Sequence, residues 1–367
     1  DAEKVYDGTA LTNDEVTVGG EGFATGEGAT YDVTGTQTEV GSSANAFTYT
    51  LNSNTKADNY TITKVEGTLT VTELTEPVTV TITENSGSET YDGAEKTVTG
   101  YTVTSISNPL YTAADFEFNG DSTVKGTDAG SYAMELKSSD FTNTSKNFKN
   151  VEFVVVDGAL EISKRSVTLT SADAEKVYDG TALTNDEVTV TGDGFAEGEG
   201  STYDVTGSQT EVGSSKNAFT YTLNEGTKAD NYEISQVEGT LKVTELTDKV
   251  TVTITEHSSK EKYDGTEKTV TGYDVKISNE LYTVDDFTFS GDSTVNGTDA
   301  GTYNMELKPA DFKNTSANFS NVEFVIVDGT LEILKRSVTL TSADDEKVYD
   351  GTALTNDEVT VTGDGFA

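Results

Sequence analysis

The segment Glu175–Val188 reads EKVYDGTALTNDEV, and the same fourteen residues begin again at Glu3 and at Glu346. A segment spelled three times marks a repeat architecture, and the repeat has to be read before any single element is assigned. Its centre, Tyr-Asp-Gly, also stands in two looser copies, TYDGAEKTVTGY and KYDGTEKTVTGY. The five motifs are Tyr6-Asp7-Gly8, Tyr91-Asp92-Gly93, Tyr178-Asp179-Gly180, Tyr263-Asp264-Gly265 and Tyr349-Asp350-Gly351. By subtraction their tyrosines lie 85, 87, 85 and 86 residues apart.

The identical copies define an A repeat and the looser ones a B repeat. Tyr6 to Tyr178 and Tyr91 to Tyr263 are both 172 residues, so the A–B pair has been duplicated as a unit. The reading divides the chain into A at 1–76, B at 77–164, A at 165–247, B at 248–335 and a partial A at 336–367. The first A repeat lacks the SVTLTSA segment that precedes the other two A motifs, and the last is too short to close a core. These 367 residues are therefore expected to be a window onto a longer repetitive polymer.

Period-two alternation assigns strands. In VTVTIT, Val250, Val252 and Ile254 share one face; in TYNMELK, Tyr303, Met305 and Leu307 do; in AFTYTL, Phe219, Tyr221 and Leu223 do. NVEFVIVDGTLEIL reads as a hairpin turning at Asp328-Gly329, a strong two-residue turn signal. PADF at Pro309–Phe312 suits one helical turn. A and B share an order of features that ends in a variable loop, an Asn-aromatic pair, a strand, an acid-Gly turn and a last strand. This predicts six or seven strands per repeat and no substantial helix. The expected fold is all-β, a tandem array of small domains of about 86 residues, each an Ig-like sandwich or β-grasp-like. Short β-rich joins, such as EISKRSVTLTS, favour domains set end to end as an elongated rod.

Composition narrows the partners. Lys plus Arg number 24 against 64 Asp plus Glu, a net charge of −40, which opposes nucleic acid and anionic membrane surfaces. No apolar run is long enough to insert in a membrane. There is no cysteine and no tryptophan, and His257 is the single histidine. Thiolate, Ser-His-Asp and clustered-histidine metal chemistry are thereby removed. His257 is expected at the surface, since Asn85 stands at the matching position.

With Tyr-Asp-Gly-Thr, ADNY and the closing VEGTLKV and VDGTLEI in place, the units resemble the YDG and MBG-type repeats of large bacterial surface proteins and adhesins. The resemblance runs along essentially the whole chain. It implies an extracellular stalk or filament, secreted or attached to the bacterial surface, and carries no catalytic residue. The implied partners are neighbouring repeats of the same chain and other chains in a fibre.

Each motif has a plain structural reading beside its functional one. The Tyr-Asp-Gly segments are turns, with glycine at positive φ, aspartate capping an amide and tyrosine packed inward. The acidic stretches Ser342–Asp350 and Ser290–Gly301 are solvated surface, with calcium as the alternative because hard oxygen ligands abound. Lys4, Lys176 and Lys347 recur in A where B has Glu89 and Glu261, and Lys96 and Lys268 recur in B where A has leucine. They read as exposed lysines, the sharper alternative being an isopeptide cross-link detectable as a mass deficit. The Thr-x-Thr runs reflect β-propensity in preference to ice binding. The second functional reading is weak multivalent glycan or mucin binding, with exposed tyrosines such as Tyr101 and Tyr273 as platforms.

Overall fold

The computed structural model describes all 367 residues, and it is built of β-strands, turns and six short 3-10 helices, with no α-helix. The chain forms two compact units. One comprises Asp1–Val167, Gly192–Ser201 and Leu223–Ser235; the other comprises Thr168–Thr191, Thr202–Thr222 and Gln236–Ala367. The second A repeat contributes to both.

Alternation builds the B repeat as expected. In the strand Val78–Glu84, the valines and Ile82 are buried while the threonines between them stay half-buried. This strand lies between Val151–Val156, parallel with Val78 opposite Val151, and Tyr101–Ile106, antiparallel. A second sheet has Ala159–Ser163 at its centre, parallel to Gly87–Thr90 and antiparallel to Gly130–Ala133. Two short antiparallel pairs complete the repeat, Lys96–Thr99 with Thr123–Gly126 and Phe116–Phe118 with Phe141–Asn143. The later B repeat has the same order, and its core joins both sheets, Val250, Val252 and Ile254 packing in one cluster with Leu331 and Ile333. There are ten strands per B repeat, not six or seven. The surplus comes from strands of three or four residues, too short for their alternation to register.

Two sequence readings are corrected here. The predicted hairpin at Asp328-Gly329 does not form: Val322–Val327 pairs with Val250–Glu256, whereas Thr330–Leu334 pairs with Ser259–Lys262 and Gly301–Asn304. The chain switches sheets at this corner. The reason is the buried Glu256, whose carboxylate accepts the Gly329 N–H at 2.7 Å and the Leu307 N–H at 2.7 Å. The glycine serves close approach and not a left-handed turn, since a Cβ there would sit 2.4 Å from the His257 carbonyl oxygen. The strand expected over TYNMELK stops at Asn304 because Glu306 takes φ of 67°, aiming the next amide at Glu256. Glu84 does the same in the earlier B repeat, accepting from Leu136 N at 2.6 Å and Gly158 N at 2.7 Å. The helical turn at Pro309–Asp311 is present as a 3-10 helix.

The second A repeat keeps this plan with eight strands. Arg165–Ser171 is the middle strand of three, and Gly239–Thr244 lies between Ala174–Val177 and Gly213–Asn217. Ser171 stands where B has its glutamate: its hydroxyl accepts from Gly239 N at 2.9 Å and donates to Asn217 O at 2.6 Å. The first A repeat retains Gly67–Thr72 between Ala2–Val5 and Gly41–Asn45, together with the pair Ala29–Val33 and Phe47–Leu51.

Candidate functional site: the Tyr-Asp-Gly corner

The motif first organises itself. Asp7 Oδ1 accepts the Thr9 N–H at 2.9 Å, the Thr9 hydroxyl at 2.7 Å and the Lys4 ammonium at 2.7 Å, and Gly8 takes φ of 75°. Asp179 makes the same contacts with Thr181 and Lys176. Asp264 accepts from Thr266 N and Oγ1 and from Lys268 at 2.6 Å; Asp92 accepts from Ala94 N and from Lys96 at 2.6 Å. The lysine beside each of these four carboxylates, with the amide behind it, holds the carboxyl below its usual range. Asp350 is lowered too, chiefly by Thr352. The differently placed lysines of A and B thus serve the equivalent carboxylate, from three residues before it in A and four after it in B.

The corner then packs onto the repeat that follows. Tyr6 is buried with its ring edge-on to Phe148, centroids 5.5 Å apart. Tyr178 meets Phe319 at 5.5 Å, and Tyr91 meets Tyr232 at 5.5 Å. A Cβ on Gly8 would stand 2.8 Å from Leu110 Cδ2, and one on Gly180 would stand 2.7 Å from Leu281 Cδ2, so both glycines also admit a leucine of the next repeat.

Polar contacts flank each ring pair. Beside Tyr6, Asn147 Oδ1 accepts from Val40 N at 2.9 Å and its amide donates to Glu39; Leu74, in the connection itself, bonds on both sides to the strand through Asn147 O and Lys149 N. Asn318 repeats this with Val212, Glu211 and Leu246. Beside Tyr91 the partners differ. The Tyr91 and Tyr232 hydroxyls both donate to Glu199, Asn231 binds Ala129 N and Asp128, and Lys228 reaches Asp128 at 2.7 Å. Arg165 closes the corner, donating to Tyr91 O and Gly194 O. Burial, then Glu199, pushes Tyr91 and Tyr232 up to about 12.

The remaining motifs fall as follows. Tyr263 is half-buried, its carbonyl accepting from Arg336, while Tyr349 is 93% exposed. Sequence reasoning noted the Asn-aromatic pairs only as landmarks of alignment. Phe148, Tyr232 and Phe319 follow Tyr6, Tyr91 and Tyr178 by 142, 141 and 141 residues, a constancy that the repeat imposes on any two equivalent positions and that carries no sign of contact. Tyr101 and Tyr273 are not the exposed platforms expected. Each is packed edge-on between phenylalanines, Tyr101 against Phe118 and Phe141, Tyr273 against Phe289 and Phe312. No three carboxylate or imidazole groups converge on a metal-sized site. His257 is exposed, its ring bonded to Thr271 O and near Asp274, contacts that raise its pKa in that order. No helix is long and apolar enough to cross a membrane.

Residues 78–164 and 249–335 match the MBG domain family. No curated protein sequence matches the chain. Among solved structures it is similar to the N-terminal eight Ig domains of Down Syndrome Cell Adhesion Molecule isoform 1.30.30, at 12% identity and a TM-score of 0.15, over all of this chain and 58% of that one. It is similar also to the N-terminal four Ig domains of Dscam1 isoform 8.4 (10% identity, 89% of this chain and 90% of that one, TM-score 0.18). Extracellular domains 3–5 of Drosophila OTK match at 12% identity, 70% and 99% coverage and a TM-score of 0.15. The chain spans somewhat over half the length of the first of these. The match to the MBG domain family falls on the two B repeats, which alternate with the A repeats.

Proposed function

We propose that the chain is a non-enzymatic structural segment, a stalk or filament portion, of a bacterial extracellular adhesin or surface fibre. One observation carries the reading: three consecutive corners place a tyrosine edge-on to an aromatic ring of the next repeat at 5.5 Å. Edge-to-face pairs add about 0.5–1.5 kcal/mol beyond their buried area, and a freely jointed string of beads has no use for them. Repeats held this way transmit orientation from one to the next. The excess of carboxylates keeps such an array soluble and discourages lateral collapse.

Small-angle scattering of the chain tests the proposal. A Tyr6→Ala/Tyr91→Ala/Tyr178→Ala variant should sample a wider distribution of distances than the parent while keeping its strand content by circular dichroism. Unchanged scattering would remove the corner as the stiffening element. Reproducible, saturable binding on a glycan array would replace the stalk reading with a receptor one.

A further inference from the structure

One corner holds two phenols against a single carboxylate. Where Tyr6 and Tyr178 meet phenylalanines, Tyr91 meets a second tyrosine, Tyr232, edge-on with the ring planes 82° apart. Both rings are 4% exposed. The Tyr91 hydroxyl donates to Glu199 Oε1, and the Tyr232 hydroxyl donates to Glu199 Oε2 at 2.6 Å. Hydroxyls tied to the two oxygens of one carboxylate draw the ring carbons ortho to them toward one another. Tyr232 is further fixed by the Ala196 N–H, which donates to its hydroxyl oxygen at 3.0 Å, and by Phe195, packed edge-on at 5.2 Å. Packing alone does not call for this arrangement, because a tyrosine on a phenylalanine seats the other two corners at the same 5.5 Å. The second hydroxyl and the shared carboxylate are what the Tyr91 corner adds.

We propose that Tyr91 and Tyr232 are an oxidative cross-linking site, at which the two rings couple to dityrosine with Glu199 as proton acceptor. Burial, then Glu199, raises both phenols, so each keeps its proton at neutral pH and must shed it as it loses an electron. The hydrogen bonds put the acceptor for that proton in place beforehand. The co-reactant is a one-electron oxidant, two equivalents per cross-link. Each phenol gives one electron to the oxidant and its hydroxyl proton to Glu199, which is half-buried and passes the proton to solvent. The two phenoxyl radicals then join through one ortho carbon of each ring. The hydrogens on those carbons move to the oxygens as the rings become aromatic again, so the chain loses two protons and two electrons in all. An electron leaves without contact between oxidant and ring, and burial keeps foreign phenols from reaching the radicals. The new bond would tie the first B repeat to the A repeat after it, in a chain that has no cysteine to do so. The inference does not rest on the stalk reading, since a stalk with this pair uncoupled would satisfy that reading and refute this one.

Photo-oxidation of the dilute full chain with a ruthenium tris-bipyridyl complex and persulfate tests it, at a dose shown to couple N-acetyltyrosine in a parallel tube. The intact mass should fall by two hydrogen atoms, dityrosine fluorescence should appear, and proteolysis should release one cross-linked peptide joining Tyr91 to Tyr232. Tyr91→Phe and, separately, Tyr232→Phe should abolish that peptide with strand content unchanged, whereas Tyr6→Phe and Tyr178→Phe should retain it. Glu199→Gln, which keeps a hydrogen-bonding side chain but takes up no proton, should slow coupling about a hundredfold. A pair left uncoupled at the effective dose overturns the proposal, as does coupling that maps preferentially to other tyrosines or between chains. Coupling as fast in Glu199→Gln as in the parent also overturns it, by removing the carboxylate from the reaction.

Discussion

The A and B repeats differ most where they do the same job. Both must turn the chain from one sheet to the other and hold glycine amides at the corner. B does it with one long buried carboxylate, Glu84 or Glu256, spanning two amides. A does it with the short Ser171 hydroxyl relayed to the backbone at Asn217. Both also clamp the Tyr-Asp-Gly aspartate with a lysine, from opposite sides in sequence, and both seat the tyrosine on the next repeat, with Asn and Glu flanking one ring pair and a shared Glu199 joining the other. The difference teaches that the geometry of the corner is the retained quantity and the side chains that impose it are exchangeable.

The largest test of that comparison is at the buried carboxylate. Glu84→Leu leaves two buried amides without acceptors and should cost about 4 kcal/mol, whereas Ser171→Ala in the A repeat should cost about 1 kcal/mol. Calorimetric transitions of the full chain would separate the two, and equal losses would break the claimed asymmetry. At the rings, Tyr91→Ala should cost about 3 kcal/mol and Tyr6→Ala about 2 kcal/mol, because the former also removes one of the two hydroxyls that donate to Glu199. Denaturant titration of each variant measures the gap.

Glycine substitution sharpens the picture at smaller scale. Gly180→Ala should cost about 2 kcal/mol and Gly93→Ala about 1 kcal/mol, since both carry positive φ but only the former meets a leucine at under 3 Å. Alkaline titration probes the hydroxyl pair. Tyr91 and Tyr232 are raised to about 12, so the stability they contribute is whole below the ordinary tyrosine value near 10 and is lost as pH climbs from there towards 12. A Glu199→Gln variant should shift the tyrosinate absorbance change to lower pH; no shift would sever the hydroxyls from the carboxylate. The smallest effect belongs to the lysines. The aspartates are depressed, so their contribution is whole above the ordinary carboxylate value near 4 and is lost as pH falls from there towards the lower value of the folded state. Lys4→Met and Lys96→Met should differ from the parent at neutral pH and converge with it in acid; a difference that persists in acid would show the lysine acting through packing.

How much was legible in the chain depended on how far each signal reaches. Alternation gives the strand Val250–Glu256 its buried face, and proline geometry gives Pro309–Asp311 its turn; both are local. Asp328-Gly329 misled because the same dipeptide suits a hairpin and a sheet-to-sheet corner, and the choice rests with Glu256, far away in sequence. The three- and four-residue strands around Phe116 and Phe141 were invisible because nothing so short establishes a period. Tyr101 and Tyr273 looked exposed for want of any sign that phenylalanines would converge on them.

By itself the sequence determined the repeat, its alternation into two kinds, the all-β character and the Tyr-Asp-Gly turns, because all of these follow from spacing, propensity and contacts within a few residues. Only the tertiary structure decided that the tyrosines seat on rings some 141 residues onward, that two differently placed lysines serve one carboxylate, and that a buried glutamate turns the chain between sheets. Those depend on which surfaces meet after folding. Burial and hydrogen-bond satisfaction, not local preference, select among the pairings that the sequence allows.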